Sequence, residues 1–185
     1  MIELSLIVWL LTAFMGYVGL LRGFTKEVIS LAGIVLGLFA MYQFDTLIRE
    51  QVFASLPPDQ LFYVQTFLFL LVVFFAYQTR AIVGGEAVRE RTNRGGRDPF
   101  TTKVLGGLTG LINGYLVSGT IWYFMDINRL PNGEYPLAPF VTAPLPGTAN
   151  AAAVSNLPLY LLTQNGGDLL ALAVVGLFIV VLVLI

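Results

Sequence analysis

"VLGGLTGLINGYLVSGTIWYFM", residues 104–125, is an apolar run without a single charged side chain. Small residues recur in it every fourth position, at Gly106, Gly110, Gly114 and Ser118. Residues four apart share one face of a helix, so the run reads as a helix with one smooth side. In water each glycine would cost about 1 kcal/mol relative to alanine. In hydrocarbon, lipid tails compete with leucine on equal terms, and helices associate by close backbone packing instead. The stripe therefore makes sense for a helix that crosses a membrane.

Four other stretches have comparable length and polarity: residues 4–21, 28–44, 61–79 and 169–185. Each approaches the roughly 20 apolar residues needed to cross the hydrocarbon layer. The last is almost purely aliphatic, with Ala171, Ala173 and Gly176 as its only small residues. Of the 185 residues 57% are hydrophobic and only 11% charged, where soluble domains carry roughly 25% charge. The reading is an all-α integral membrane protein, a polytopic bundle of five transmembrane helices.

Basic residues set the expected direction, because cytoplasmic loops are enriched in them. Arg22 and Lys26 lie in the first connection, and Arg80, Arg89, Arg91, Arg94, Arg97 and Lys103 in the third. These two connections share one side; the other side has only Arg49 and Arg129. The split puts the N-terminus outside and the loop 80–103 in the cytoplasm. Trp9, Tyr42, Tyr63 and Trp122 fall toward the expected outer ends, where aromatic belts form.

Gly33 and Gly37 make a shorter small-residue face in the second span, and Gly19 and Gly23 make one at the inner end of the first. Spans one, two and four are expected to meet through these faces. Gln65 and Asn113 are the strongest polar side chains inside spans, and each needs a hydrogen-bond partner there. No ionisable group is expected inside a span. Thr25 is read as the cap of the second span, and Glu27 as a favourable charge at its positive end. Arg89, Arg91, Arg94 and Arg97 are candidate contacts to anionic lipid headgroups, each worth about 1 kcal/mol near such a surface.

The connection 126–168 contains Pro131, Pro136, Pro139, Pro144, Pro146 and Pro158, which exclude a continuous helix. Its segment "NAAAVSNLPLYLLTQ" (150–164) is apolar but too short to span. It is expected to lie in the interface or re-enter, and to cover the bundle or offer a docking surface.

"GLLRGFTKEVISLAGIVLGLFA" (19–40) resembles the opening motif of the colicin V production protein (CvpA-like) family, through Gly19, Arg22, Gly23, Glu27, Ser30, Leu31 and Gly33. "KVLGGLTGLINGYLVSG" (103–119) resembles that family's second motif, through Leu105, Gly106, Gly110, Leu111 and Gly114. "VSNLPLYLL" (154–162) is similar to the proline-interrupted stretch that follows its fourth helix. The resemblance implies a four-helix bacterial inner-membrane protein with a role in toxin secretion or envelope maintenance. Asn113 departs from it, standing where the family often has a basic residue. The fifth span is a second departure. The domain reading is a four-helix unit over 1–163, with outer loop 126–163, and an additional C-terminal helix over 164–185.

The residue inventory narrows the chemistry. The chain has no His and no Cys, so it lacks the commonest general base and metal ligands. No cofactor is expected, beyond lipid or pigment touching the apolar surface. A net charge of −1 offers no field for nucleic acid. The expectation is a non-catalytic structural, assembly or accessory subunit of a larger membrane complex, whether respiratory, photosynthetic or secretion-related. Its partners would be membrane lipids and other membrane-protein subunits. A transporter or channel involved in export or envelope maintenance is the alternative.

Overall fold

The computed structural model describes residues 3–78, 99–138 and 140–184. The five spans are helices: α1 (Leu4–Arg22), α2 (Phe24–Gln43), α3 (Pro58–Gln78), α4 (Pro99–Ile127) and, after two short helices α5 (Ala149–Val154) and α6 (Pro158–Leu162), α7 (Asp168–Leu184). All five are long and apolar enough to cross a membrane. No β-strand occurs among the described residues. The four arginines Arg89, Arg91, Arg94 and Arg97 lie outside the described residues, as does Asp98.

The surface is apolar where a soluble protein would be polar. Trp9, Leu10, Phe14 and Leu21 of α1 are exposed, as are Phe67, Phe74 and Phe75 of α3 and Leu172, Phe178 and Val183 of α7. Monomeric soluble proteins rarely expose apolar patches beyond a few hundred Å². Here such side chains lie on outward faces of the helices. That distribution suits lipid as the solvent.

The most extensive helix contact is between α1 and α4, and small residues make it. A Cβ on Gly110 would lie 3.0 Å from the Gly19 Cα, and one on Gly114 would lie 2.7 Å from the Thr12 Cα. Gly106 is pressed against the backbones of Gly19 and Gly23. Ser118 hydrogen-bonds the Gly114 carbonyl at 2.7 Å, folding its hydroxyl onto its own helix so that it fits the seam.

The turn between α1 and α2 is one residue long. Gly23, with φ 81, closes α1 by donating its N–H to the Gly19 carbonyl, and α2 starts at Phe24. This φ lies in the left-handed region that glycine tolerates without strain. The expected cap at Thr25 is therefore corrected: no side chain caps α2, and Thr25 already lies within its first turn. Gly33 and Gly37 also differ from expectation. They face Ala76 and Val72 of α3 rather than α1 or α4. The α1–α4 contact uses up the stripe of α4, so the α2 notch takes the helix on its other flank.

Residues 128–138 and 140–167 fold over the end of the bundle at which α2 stops, here the Asp45 end; the opposite end is the Gly23 end. Tyr135, Leu157 and Leu159 are buried in this cover. Pro158 sits on Gly119 of α4, 2.6 Å from where a Cβ would be. Trp122 is consequently buried beneath the cover and does not join an aromatic belt. The segment 150–164 forms the two short helices α5 and α6 with a turn between them.

Candidate functional site

Buried carboxylate and amide side chains gather in two clusters. At the Gly23 end the centre is Glu27, which is fully buried. It shares one face of α2 with Ser30, Ile34, Leu38 and Met41, at helical spacing, and all are buried. The expectation that no ionisable group enters a span is thus overturned. The reason lies in the short turn: Gly23 starts α2 so early that Glu27 is carried under α3 and α4.

Burying a carboxylate costs several kcal/mol unless it is well paired. Glu27 has three side-chain donors. Arg22 Nη1 donates to Oε1 at 2.6 Å, and Asn113 Nδ2 and the Tyr77 hydroxyl donate to Oε2 at 2.7 and 3.2 Å. Asn113 also reaches the Glu27 backbone carbonyl at 3.2 Å. The Arg22 guanidinium lies 4.3 Å over the centre of the Tyr77 ring and donates to Ser30 Oγ at 3.2 Å. Ser30 in turn donates to the Ala76 carbonyl at 3.3 Å. One cluster thereby ties together α1, α2, α3 and α4. Asn113 Oδ1 has no hydrogen-bond partner among the described residues.

At the Asp45 end a second cluster forms around Gln65, also fully buried. Asp45 Oδ1 accepts from Arg49 Nε at 2.9 Å and from Gln65 Nε2 at 3.0 Å. Arg49 Nη2 donates to Asn128 Oδ1 at 3.1 Å, and Asn128 Nδ2 donates to Gln65 Oε1 at 2.6 Å. The ring joins the π-helical turn Leu47–Val52, α3 and the end of α4. Between the clusters α2 packs through apolar side chains. Ile34, Leu38, Phe69 and Phe124 are buried there, with the Phe69 and Phe124 rings edge to face at 5.9 Å.

A third group fastens the cover. Asp126, at the end of α4, accepts from Arg129, from the Tyr135 hydroxyl at 3.1 Å and from the Tyr160 hydroxyl at 2.8 Å. The Trp122 indole donates to the Tyr135 oxygen at 3.0 Å. Burial pushes the Tyr135 hydroxyl up to about 12, with the Asp126 charge adding to it. Burial, then the bond and charge of Asp126, raise Tyr160 as well.

Of the residues singled out in the sequence, Gly19, Gly23, Gly106, Gly110, Gly114 and Ser118 lie in the α1–α4 seam, and Gly33 and Gly37 in the α2–α3 seam. Gln65 and Asn113 fall in separate clusters. Glu27, Arg49, Asp126, Asn128 and Tyr135 were not singled out as site residues. For Glu27 a signal existed, its three- and four-residue spacing to buried Ser30, Ile34, Leu38 and Met41. Asn128 and Tyr135 carry no local signal, because they are buried only by the folded cover.

No curated protein and no solved structure matches the chain. The sequence model of the colicin V production protein family matches residues 4–145, which covers α1 to α4 and the first part of the cover and stops short of residues 154–162. Both glycine seams and both polar clusters lie within that match, and on its extent the chain belongs to the colicin V production protein family.

Proposed function

We propose that this membrane protein is a non-catalytic scaffold: a structural, assembly or accessory subunit of a larger complex in the bacterial inner membrane, with its N-terminus outside. The observation that carries the reading is the placement of its buried carboxylate and amide side chains, Glu27 with Asn113 and Gln65 with Asn128. They are tied to one another at the two ends of the bundle, and roughly 20 Å of α2 between Glu27 and Met41 runs through packed apolar side chains. Such an arrangement favours a fixed bundle over a conduit for solute. Helix α7 supports an attachment role, since its surface is nearly all apolar and largely unburied. The eight-to-two division of basic residues supports the direction.

Native membranes solubilised in mild detergent test the proposal. The full chain is expected to co-migrate with other membrane subunits, and removal of residues 165–185 is expected to lose them. A chain that migrates alone, and that moves solute across vesicle membranes after reconstitution, would overturn the scaffold reading.

A further inference from the structure

We propose that the Asp45 end of the bundle carries a binding site for a primary organic ammonium group, supplied by a small free amine or by an amine-bearing phospholipid headgroup. The site is independent of the scaffold role. A cavity of about 360 Å³ opens there, between the end of α2, α4, α6 and the 3-10 turn Gln164–Gly167. This is the lower end of the range for ligand pockets, about 300–1,000 Å³. Tyr42, Gln43, Asp45, Thr46 and Tyr123 contribute to its wall alongside apolar side chains.

The lining selects a cation that can donate hydrogen bonds. Asp45 Oδ1 is engaged by Arg49 and Gln65, whereas Oδ2 has no donor among the described residues. Arg49 is not part of the wall: its Nε pairs with Asp45 Oδ1 at 2.9 Å and its Nη2 reaches Gln65 and Asn128, which leaves Oδ2 as the free acceptor. The half-exposed carboxylate can therefore accept from a group in the cavity. A primary ammonium offers three donors to carboxylate, hydroxyl and amide oxygens, and a trimethylammonium offers none.

The surrounding field has the same sign preference. Glu3, Asp45, Glu50, Asp59, Asp126, Glu134 and Asp168 all lie at this end of the bundle, against Arg49 and Arg129. Excess carboxylate concentrates cations at the mouth of a cleft. The wall is also held in place. Asn165, Gly166 and Gly167 take φ values of 59, 77 and 90, and a Cβ on Gly167 would lie 2.6 Å from Tyr42 Cε1. The bare backbone at Gly167 thus packs directly on the Tyr42 ring.

Two arms on the full chain test the site. Equilibrium dialysis in detergent compares labelled ethanolamine with labelled choline. Native mass spectrometry compares retention of phosphatidylethanolamine with that of phosphatidylcholine of the same acyl chains. The primary amine is expected to win by about tenfold, the scale of one charge-assisted hydrogen bond. A preference in dialysis assigns the free amine, and a preference seen only with the lipids assigns the headgroup. Asp45→Asn should abolish the preference. So should Thr46→Trp, which blocks the cavity from an exposed position without touching the Arg49 network and covers the case in which Asp45→Asn does not fold. Equal binding of both amines in both arms, or a preference that survives the folded variants, would overturn the site.

Discussion

Asn113 Nδ2 donates to Glu27 Oε2 at 2.7 Å, joining two residues 86 apart in the chain. Arg22 holds the other oxygen of the same carboxylate. The two ends of that ion pair are unequal: the Arg22 side chain keeps 22% exposure and Glu27 has none. Removing Arg22 strands a buried charge, whereas neutralising Glu27 leaves a cation that can reach solvent. Arg22→Met is expected to cost about 3 kcal/mol, and Glu27→Gln about 1–2 kcal/mol. Unfolding by SDS titration from mild detergent measures both, and the reverse order would refute the account of the cluster.

The glycine seams predict position-specific effects of one methyl group. Gly110→Ala and Gly19→Ala each push a Cβ into the backbone of the facing helix, and overpacking of this kind costs about 1–3 kcal/mol. Gly176→Ala meets open space and should be neutral or slightly stabilising. Gly33→Ala meets the Ala76 Cβ at 2.6 Å, so Ala76→Gly in the same chain should recover most of its loss. Thermal unfolding in micelles across these variants checks the pattern. An equal effect of all four single alanines would remove close packing as the cause.

The cover over the Asp45 end should detach at alkaline pH. The Tyr135 hydroxyl is raised from its usual 10.0 to about 12, first by burial. The folded state therefore holds its proton where the unfolded state has lost it. Docking is at full strength below pH 10 and weakens as pH rises toward 12. Emission from Trp122, whose indole bonds the Tyr135 oxygen, reports the change in a Trp9→Phe background. The alkaline transition should vanish in Tyr135→Phe; if it persists there, Tyr135 is not the group responsible.

Direction in the membrane is open to a clean assay because the natural chain has no cysteine. Leu145→Cys in the exposed part of the cover should react with an impermeant maleimide added outside intact cells. Thr101→Cys at the exposed start of α4 should react only after the membrane that holds the protein is opened. The opposite pattern would invert the orientation proposed from the basic residues.

The presence of five spans was legible from one dimension, because crossing a hydrocarbon layer is a matter of length and apolarity. The boundaries moved where polarity tapers: the run 104–125 became Pro99–Ile127, extended through Thr101, Thr102 and Lys103 at one end. The family relationship was legible too, since its motifs are spacings of glycine along single helices. What the stripes would face was not. Gly33 and Gly37 could read only as a notch, and α3 fills it with Ala76 and Val72, a helix that carries no matching motif.

Glu27 reads in sequence as a favourable charge at the start of the second span, and Trp122 as a residue at a membrane surface. Only the assembled bundle buries them, the first because a single left-handed glycine brings α2 back beneath its neighbours, the second because Tyr135 and Pro158 of the cover pack across the end of α4. Local composition determines whether a segment can leave water. Which of its faces meets protein rather than lipid depends on how closely neighbouring backbones approach, and that is settled by contacts between residues far apart in the chain.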